Sequence, residues 1–187
     1  MDVAAQPPQP ADAWDGGWPQ SPGEFEGLVE AYLDRLVRYA FRRLGDLHDA
    51  EDVAQEVFLR AFEDRSKRKK VSAVGPYLYR MTANACTDLQ RRKRPVQVSL
   101  DEMGADGLPG AAKDPSEYAR AAEELKRAED LLRCLPPKQA EAVRLRVFDE
   151  LRLDEIAKIV GCSPNTVASR LRYGFGKLRR IVSGKRG

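Results

Sequence analysis

The sequence predicts an all-α protein of two small helical domains joined by a flexible linker, the second containing a helix-turn-helix. Apolar residues recur at helical spacing through residues 22–94 and again through residues 116–178. Between these blocks, residues 95–115 contain three Pro and three Gly and have no helical period, which is typical of a linker. Within the second block, a short helical pattern, a turn at Gly161 and another helical pattern follow one another as in a helix-turn-helix.

The first block predicts three helices, enough for one compact domain. A helix over residues 22–44 ends at Gly45, a residue that readily takes the left-handed conformation of a C-terminal cap. A second helix follows Asp49 as N-cap. A third, over residues 75–94, opens with Gly-Pro, and proline fits a first helical turn. The apolar stripe of the second helix comprises Ala50, Val53, Ala54, Val57, Phe58 and Ala61.

The second block predicts two helices before the helix-turn-helix. One begins with Ser116 as N-cap and ends at Pro136, and the next runs over residues 138–148. The inward residues of the second of these are Ala140, Val143 and Val147.

The helix-turn-helix combines helix signals with a tight turn. Residues 153–160 form its short first helix, Gly161 the turn, and Ser163 the N-cap of a helix whose first residue is Pro164. The inward residues of that last helix are Val167, Leu171, Phe175 and Leu178.

Charge is unevenly distributed along the 187 residues, although the net charge is only +3. Residues 1–30 contain six acidic side chains and no basic ones. Residues 60–94 contain eleven basic and three acidic side chains, and residues 163–187 contain seven basic side chains and no acidic ones. Two basic zones fit two contacts with a polyanion, and the alternative is two solvated faces.

The two ends of the chain have the composition of unstructured segments. Residues 1–21 predict a disordered acidic arm, with Trp14 and Trp18 its only large apolar groups, and residues 183–187 predict a basic tail.

Cysteine and histidine usage restricts the possible chemistry. Cys86, Cys134 and Cys162 are far apart and odd in number, which predicts core or half-buried residues of a reducing compartment. With His48 the only histidine, a His-based catalytic or zinc site cannot be built. We therefore expect no enzyme, no catalytic residue, no metal and no cofactor. No apolar run approaches a membrane span, so the expectation is a cytoplasmic protein without membrane insertion.

Two helices of the first block carry polar faces with two possible readings each. On the third helix, Tyr77, Arg80 and Asn84 share one side, which suits unstacked bases beside a phosphate backbone, or simply water. On the second helix, Asp52 and Leu59 belong to a face that suits either a docking protein or water.

Three stretches together resemble one family. They are DAEDVAQEVFLRAF (49–62), PYLYRMTANACTDLQRRKR (76–94), and LPPKQAEAVRLRVF with LDEIAKIVGCSPNTVASRL (135–171). In the order and spacing of these stretches, and in the linker between the two blocks, residues 22–180 resemble a bacterial RNA polymerase sigma factor. The resemblance is to the extracytoplasmic-function (ECF) class, group IV of the sigma-70 family.

The resemblance implies a factor that binds core RNA polymerase, directs it to specific promoters and assists promoter melting. Residues 22–94 would be region 2 and residues 116–182 region 4. The implied partners are the β′ clamp helices and β flap of the polymerase and promoter DNA. An anti-sigma protein is a further partner that is common in the family.

The resemblance also implies roles for individual positions. The candidate core-polymerase-binding residues are Asp52, Gln55, Glu56 and Leu59. The candidate residues for recognising and melting the −10 element are Tyr77, Arg80, Asn84, Arg91, Arg92 and Lys93. The candidate residues for the −35 element are Ser163, Asn165, Thr166, Ser169, Arg170, Arg172, Tyr173 and Lys177.

The sequence departs from the family pattern at three places. Tyr77 stands where Trp is frequent, which keeps a stacking face. Residues 64–75 lack the common Phe-x-Gly-x-Ser-Phe pattern. The resemblance therefore does not indicate which base of the −10 element is flipped out of the strand. In the last helix, Ala168 stands where a Lys or Arg is usual, and residues 173–176 (YGFG) replace an Arg-Ala-Arg run. Each of the two Gly costs about 1 kcal/mol of helix stability relative to Ala. We therefore expect altered recognition of the −35 element.

An alternative function is a stand-alone helix-turn-helix regulator whose N-terminal helices only dimerise. It predicts tight binding of the free protein to duplex DNA, whereas a sigma factor requires core polymerase. For the acidic arm, shielding of the basic surfaces in the free protein is a further hypothesis.

Overall fold

The computed structural model describes residues 14, 17–64, 71, 73–93 and 115–184, with side chains from residue 123 onward in the last range. Within these residues the chain forms seven α helices and no β strand, which confirms the all-α class. The helices are α1 (Pro22–Leu44), α2 (Leu47–Glu63), α3 (Val74–Lys93), α4 (Pro115–Arg133), α5 (Pro137–Val147), α6 (Leu153–Val160) and α7 (Pro164–Gly184). The predicted linker, apart from Pro115, lies outside the described residues, as do residues 185–187 of the predicted tail.

Helix α1 has the limits that the sequence predicts. Its N-cap is Ser21, whose hydroxyl oxygen accepts a hydrogen bond from the Glu24 N–H at 3.2 Å. At the other end, Gly45 adopts a left-handed φ of 77° and donates its N–H to the Phe41 carbonyl at 2.8 Å. Glycine meets this conformation without steric cost, so the helix ends there.

The predicted N-cap of α2 is wrong by three residues. The helix begins at Leu47, and the Asp46 carboxylate accepts a hydrogen bond from the Asp49 N–H at 2.8 Å. Asp46 has the extended backbone of an N-cap, whereas Asp49 is the third helical residue, where its charge favours the helix dipole.

The first three helices pack around one apolar core. Leu28, Leu36 and Leu78 are completely buried, and Thr82 and Cys86 continue the buried side of α3. Phe25 packs edge-on against Phe62, with ring centroids 5.1 Å apart.

The packed part of the chain begins before the boundary that composition predicts. Of the expected disordered arm, Trp14 and residues 17–21 are described, and Trp18 is buried, with only 4% of its surface exposed. Its ring packs edge-on against Tyr77, with centroids 5.5 Å apart. The remaining residues of the arm, 1–13 and 15–16, lie outside the described residues.

The cysteines differ in environment. Burial raises the pKa of the Cys86 thiol to about 11, so this side chain stays protonated in the core. Cys162 is half-buried, as predicted. Cys134 is exposed, so its prediction is wrong: it follows the last turn of α4, where its thiol lies 3.6 Å from the Asp130 carbonyl oxygen.

Helices α4 to α7 form the second domain. Here α5 packs on α7, α6 packs on both, and α4 packs on α5. The Arg144 guanidinium donates to both carboxylate oxygens of Glu129, to Oε1 at 3.1 Å and to Oε2 at 2.7 Å, and joins α5 to α4. Gly161 adopts a φ of 66° in the turn between α6 and α7, which confirms the helix-turn-helix.

Two residues predicted to face the core are exposed instead. Val147 is 50% exposed because α5 ends there and the chain turns away. Phe175 is 40% exposed, while Gly174 is buried in its place. The inward row of α7 passes through Val167, Leu171 and Gly174, the helical spacing of four and then three residues, so the neighbouring Phe175 is turned outward.

The two domains lie against each other. Helix α6 packs on α3, and buried apolar side chains of both domains continue into one cluster. Sequence patterns indicate two separate helical blocks but carry no information on this contact, because periodicity is a local property.

Gly174 and Gly176 provide a matched test of how α7 packs. An added Cβ at Gly174 would lie 3.0 Å from Cγ2 of the buried, stiff Val143, whereas at Gly176 it would meet no atom within 4 Å. We expect Gly176→Ala to raise the free energy of unfolding by up to about 1 kcal/mol, the helix-propensity gain. Gly174→Ala should lower it by about 1 kcal/mol, because crowding outweighs the same gain. Urea unfolding of both variants checks this, and equal stabilisation would contradict the packing.

Candidate functional site

The polar face of α3 is presented to solvent. Arg80 and Asn84 are exposed, and Tyr77 is half-buried. Their positions follow from burial of the opposite side of α3, which carries Leu78 and Thr82. The three predicted side chains are therefore held by a helix whose other face is in the core.

Trp18 supports the ring of Tyr77 from the N-terminal segment. The two rings are nearly perpendicular, at 85°, an arrangement that aromatic pairs prefer. The indole N–H of Trp18 has no hydrogen-bond partner within the described part of the chain, so packing holds this ring. Composition alone does not indicate this contact, because the two residues are 59 positions apart.

A groove of about 300 Å³ runs between the C-terminal half of α2 and α3. This volume is at the lower end of the range typical of small-ligand pockets, about 300–1,000 Å³. Its lining residues are Glu56, Val57, Arg60, Glu63, Asp64, Tyr77, Met81, Asn84 and Ala85.

The groove brings together residues that the sequence assigns to two different sites. Glu56 from the polymerase-binding set lies in it with Tyr77 and Asn84 from the −10 set. Sequence reasoning missed Arg60 and Met81 as members of this site. Arg60 could have been found, because it lies four residues after Glu56 and pairs with its carboxylate on the same helix face.

The predicted docking face of α2 is exposed along its length. Asp52, Gln55 and Glu56 are exposed, and Leu59 leaves 64% of its surface accessible. The Asp52 carboxylate lies 3.2 Å from Nδ1 of His48. An accessible leucine beside two carboxylates is a surface with both an apolar and a charged component.

The basic end of α3 adjoins the same two helices. Arg91, Arg92 and Lys93 are exposed. Arg92 shares a smaller groove of about 120 Å³ with Asp52 and Glu56. The Lys93 ammonium pairs with the Asp49 carboxylate, which ties the end of α3 to the start of α2. Arg80 and Arg91 line neither groove.

The exposed face of α7 carries most of the predicted −35 set. Asn165, Ser169, Tyr173 and Lys177 are exposed. The Arg172 guanidinium lies over the Tyr173 ring, 5.0 Å from its centroid, which is cation–π distance.

Three members of the −35 set have structural partners or a different orientation. The Ser163 hydroxyl oxygen accepts a hydrogen bond from the Thr166 N–H at 3.1 Å, and the two hydroxyls lie 2.9 Å apart. These two residues therefore cap α7. Arg170 is half-buried and lines a cleft between the domains.

The described residues show neither a metal centre nor a membrane span. No group of three or more His, Cys, Asp or Glu side chains is placed to hold a metal ion in the described ranges. Of the described helices, none has the length and apolar character needed to cross a bilayer.

Two family models match the two helical domains. The model described as Sigma-70 region 2 matches residues 28–96, and the model described as Sigma-70, region 4 matches residues 118–178. The first match covers the α2–α3 groove and the second covers the helix-turn-helix. A stand-alone helix-turn-helix regulator would not have region 2, so this alternative is wrong.

Similar proteins extend over most of the chain. The RNA polymerase sigma-E factor of Streptomyces avermitilis is 31% identical over 162 residues, covering 87% of this chain and 87% of that protein. The ECF RNA polymerase sigma factor SigW of Bacillus subtilis strain 168 is 29% identical over 163 residues, covering 83% of this chain and 87% of SigW.

A solved structure of CnrH in complex with the cytosolic domain of CnrY has a similar fold. Its TM-score is 0.65 at 21% identity, covering 88% of this chain and 91% of that one. Two matched regions in the expected order and a relative above 30% identity over most of both chains establish the family. The chain belongs to the ECF sigma factors of the sigma-70 family, which are non-enzymatic transcription initiation factors that work with RNA polymerase.

Proposed function

We propose that this sigma factor opens the −10 element at the groove between α2 and α3 and docks on core polymerase through the adjoining face of α2. The observation that carries the proposal is that Tyr77 and Asn84 line one groove with Glu56. Opening and docking would then use neighbouring surfaces of the same helix pair.

The chemistry of the groove suits one unstacked base of the non-template strand. Extruding a base costs a few kcal/mol, and stacking on an aromatic ring returns about 1–3 kcal/mol. Tyr77 supplies that ring, and the Asn84 amide offers both a donor and an acceptor to a base edge. The exposed cations Arg91 and Arg92 then suit the phosphates next to the extruded base.

Replacing Tyr77 and Asn84 should impair opening. We expect Tyr77→Ala to make the free energy of open-complex formation less favourable by about 1–3 kcal/mol, the value of one base–aromatic stack. Asn84→Ala should add to this loss. Run-off transcription with core polymerase, on a duplex promoter and on one pre-melted around −10, measures this. The variants should be rescued, at least in part, on the pre-melted template.

Tyr77→Phe is the matched control because it keeps the stacking ring and its contact with Trp18. It should open the promoter nearly as well as the parent protein, and thermal unfolding should verify that each variant is folded. Core polymerase transcribing the pre-melted template equally well without the protein would refute the proposal.

Charge reversal on the docking face should weaken polymerase binding. We choose Asp52→Lys with Leu59→Ala and leave Glu56 unchanged, because Glu56 also lines the groove of Tyr77. Loss of one charged and one apolar contact at an interface centre typically costs about 2 kcal/mol or more, which is a rise in Kd of roughly thirtyfold or more. A binding titration with core polymerase measures it.

Glu30→Lys is the control for this pair, since Glu30 is also an exposed carboxylate but lies on α1, outside the docking face of α2. An equal loss of affinity in the control would mean that overall charge, and not this face, governs binding.

The −35 role of α7 is testable through two residues at opposite ends of its exposed face. The N-terminal residues of a recognition helix reach base edges, so Asn165→Ala should reduce discrimination between a promoter and one with a scrambled −35 element. Lys177, three turns later, suits a phosphate. Lys177→Ala should weaken binding to both DNAs alike and lower the salt slope of log K by about 0.9. Filter binding with holoenzyme over a salt series distinguishes the two effects.

The partners follow from the same proposal. They are the β′ clamp helices and β flap of core polymerase, and promoter DNA, in the cytoplasm where polymerase works. An anti-sigma protein is a further proposed partner, supported by the solved complex of CnrH with the cytosolic domain of CnrY.

A further inference from the structure

The turn between α5 and α6 docks into the first domain through a buried ion pair. An NH2 nitrogen of Arg42, on α1, lies 2.6 Å from Oδ1 of Asp149, and their side chains are only 7% and 4% exposed. The Tyr79 hydroxyl, on α3, donates to the same Oδ1 at 3.2 Å. The Arg42 guanidinium also stacks over the Phe148 ring, 5.1 Å from its centroid. We call these four residues the interdomain latch.

A second polar cluster lies beside the latch. The Glu141 carboxylate, on α5, accepts a hydrogen bond from the Tyr39 hydroxyl and another from Arg43, the latter at 2.9 Å. Both donors are on α1. Two carboxylates of the second domain are thus held by two arginines and two tyrosines of the first.

The latch and the residue that follows it also carry energetic costs. Oδ2 of Asp149 is buried and has no hydrogen-bond partner in the described part of the chain. Burial raises the pKa of the Asp149 carboxyl, which the nearby Arg42 only partly opposes. The next residue, Glu150, has a φ of 56°, a left-handed conformation that is unfavourable for a residue with a Cβ. Interfaces between domains of one chain resemble transient protein–protein interfaces, which are more polar than obligate ones.

The closed arrangement keeps the two proposed DNA readers too close together. Helix α6 packs on both α3 and α7. At 8–10 Å per packed helix pair, α3 and α7 are separated by roughly 20 Å. The −10 and −35 elements lie about two turns apart on DNA, on the order of 70 Å. The chain between the domains is long enough to reach, because its roughly twenty residues span up to about 70 Å.

One predicted −35 residue is withdrawn from the DNA-facing surface in this arrangement. Arg170 lines a cleft of about 690 Å³ between the domains, together with Arg42 and Arg43 of the first domain. Separation of the domains would return Arg170 to solvent beside the other side chains of α7.

We infer that the free protein is held closed by the Arg42–Asp149 latch and that the latch must release before both promoter elements can be engaged. The need for release rests on the proposed −10 and −35 roles. The closed state itself does not, because its contacts are independent of DNA. The surface of α1 and α3 around Arg42, Tyr39 and Tyr79 therefore binds an acidic–aromatic turn of the same chain.

Charge reversal and charge exchange test the latch in the full-length free protein. Asp149→Arg places two cations together and should open the protein, which small-angle X-ray scattering detects as a radius of gyration larger by several ångströms. Arg42→Asp with Asp149→Arg restores an ion pair and should return the radius towards that of the parent. Glu123→Arg, which reverses an exposed carboxylate on α4, should leave it unchanged. Circular dichroism verifies that helix content is the same in all four proteins.

The scattering result distinguishes this inference from the proposed function. If Asp149→Arg leaves the radius unchanged, or the double variant stays as expanded as the single one, the latch is refuted whatever the transcription assays show. If the latch behaves as expected but core polymerase yields no promoter-specific transcripts with the protein, the proposed function fails and the closed state stands. In holoenzyme assembly, Asp149→Arg should bind core polymerase more tightly by the factor that the open fraction increases. An affinity that falls despite expansion would contradict the need for release.

Discussion

Helix α3 has to bury one face against three other helices, and the remaining structure follows from this constraint. Helices α1 and α2 pack on it within the first domain, and α6 packs on it from the second. Thr82 can lie on the buried side because its hydroxyl donates to the Leu78 carbonyl at 3.0 Å. Successive residues of a helix differ by about 100°, so burial of this side turns Arg80 and Asn84 to solvent. The proposed contacts with bases therefore depend on core packing rather than on a loop.

Local chemistry explains why the helix limits could be predicted. Gly45, Gly161 and Ser163 act within one turn of their own position, so the sequence displays their roles directly. The error at α2 has the same origin, because Asp46 and Asp49 offer the same side chain three residues apart. Only the backbone conformation of Asp46 distinguishes the cap from the first-turn acid. On α7, apolar character favours Phe175 as a core residue, although the inward row falls on Gly174.

Contacts between distant parts of the chain carry no periodic pattern and could not be predicted. Trp18 reaches Tyr77 across the domain, and Arg42 reaches Asp149 across 107 positions. The sequence indicates the candidate residues on the polar faces of α2 and α3. It does not show that the proposed polymerase-docking and promoter-melting residues adjoin each other. The groove shared by Glu56, Tyr77 and Asn84 lies where α2 packs on α3, a contact that composition and spacing do not specify.

The domain interface combines an apolar contact with a buried ion pair. This combination suits an interface that has to be both specific and reversible. Apolar surface between α3 and α6 favours closure at roughly 25 cal/mol per Å² buried, without fixing one register. Desolvation of each ion costs several kcal/mol, which offsets much of the attraction between Arg42 and Asp149 and leaves a modest net stabilisation of the closed state. A misplaced turn would leave each of these charges buried without its partner, which is far less favourable than the observed pairing. On opening, both ions regain water. The ion pair therefore selects one closed arrangement, and the same desolvation cost keeps that arrangement from becoming permanent.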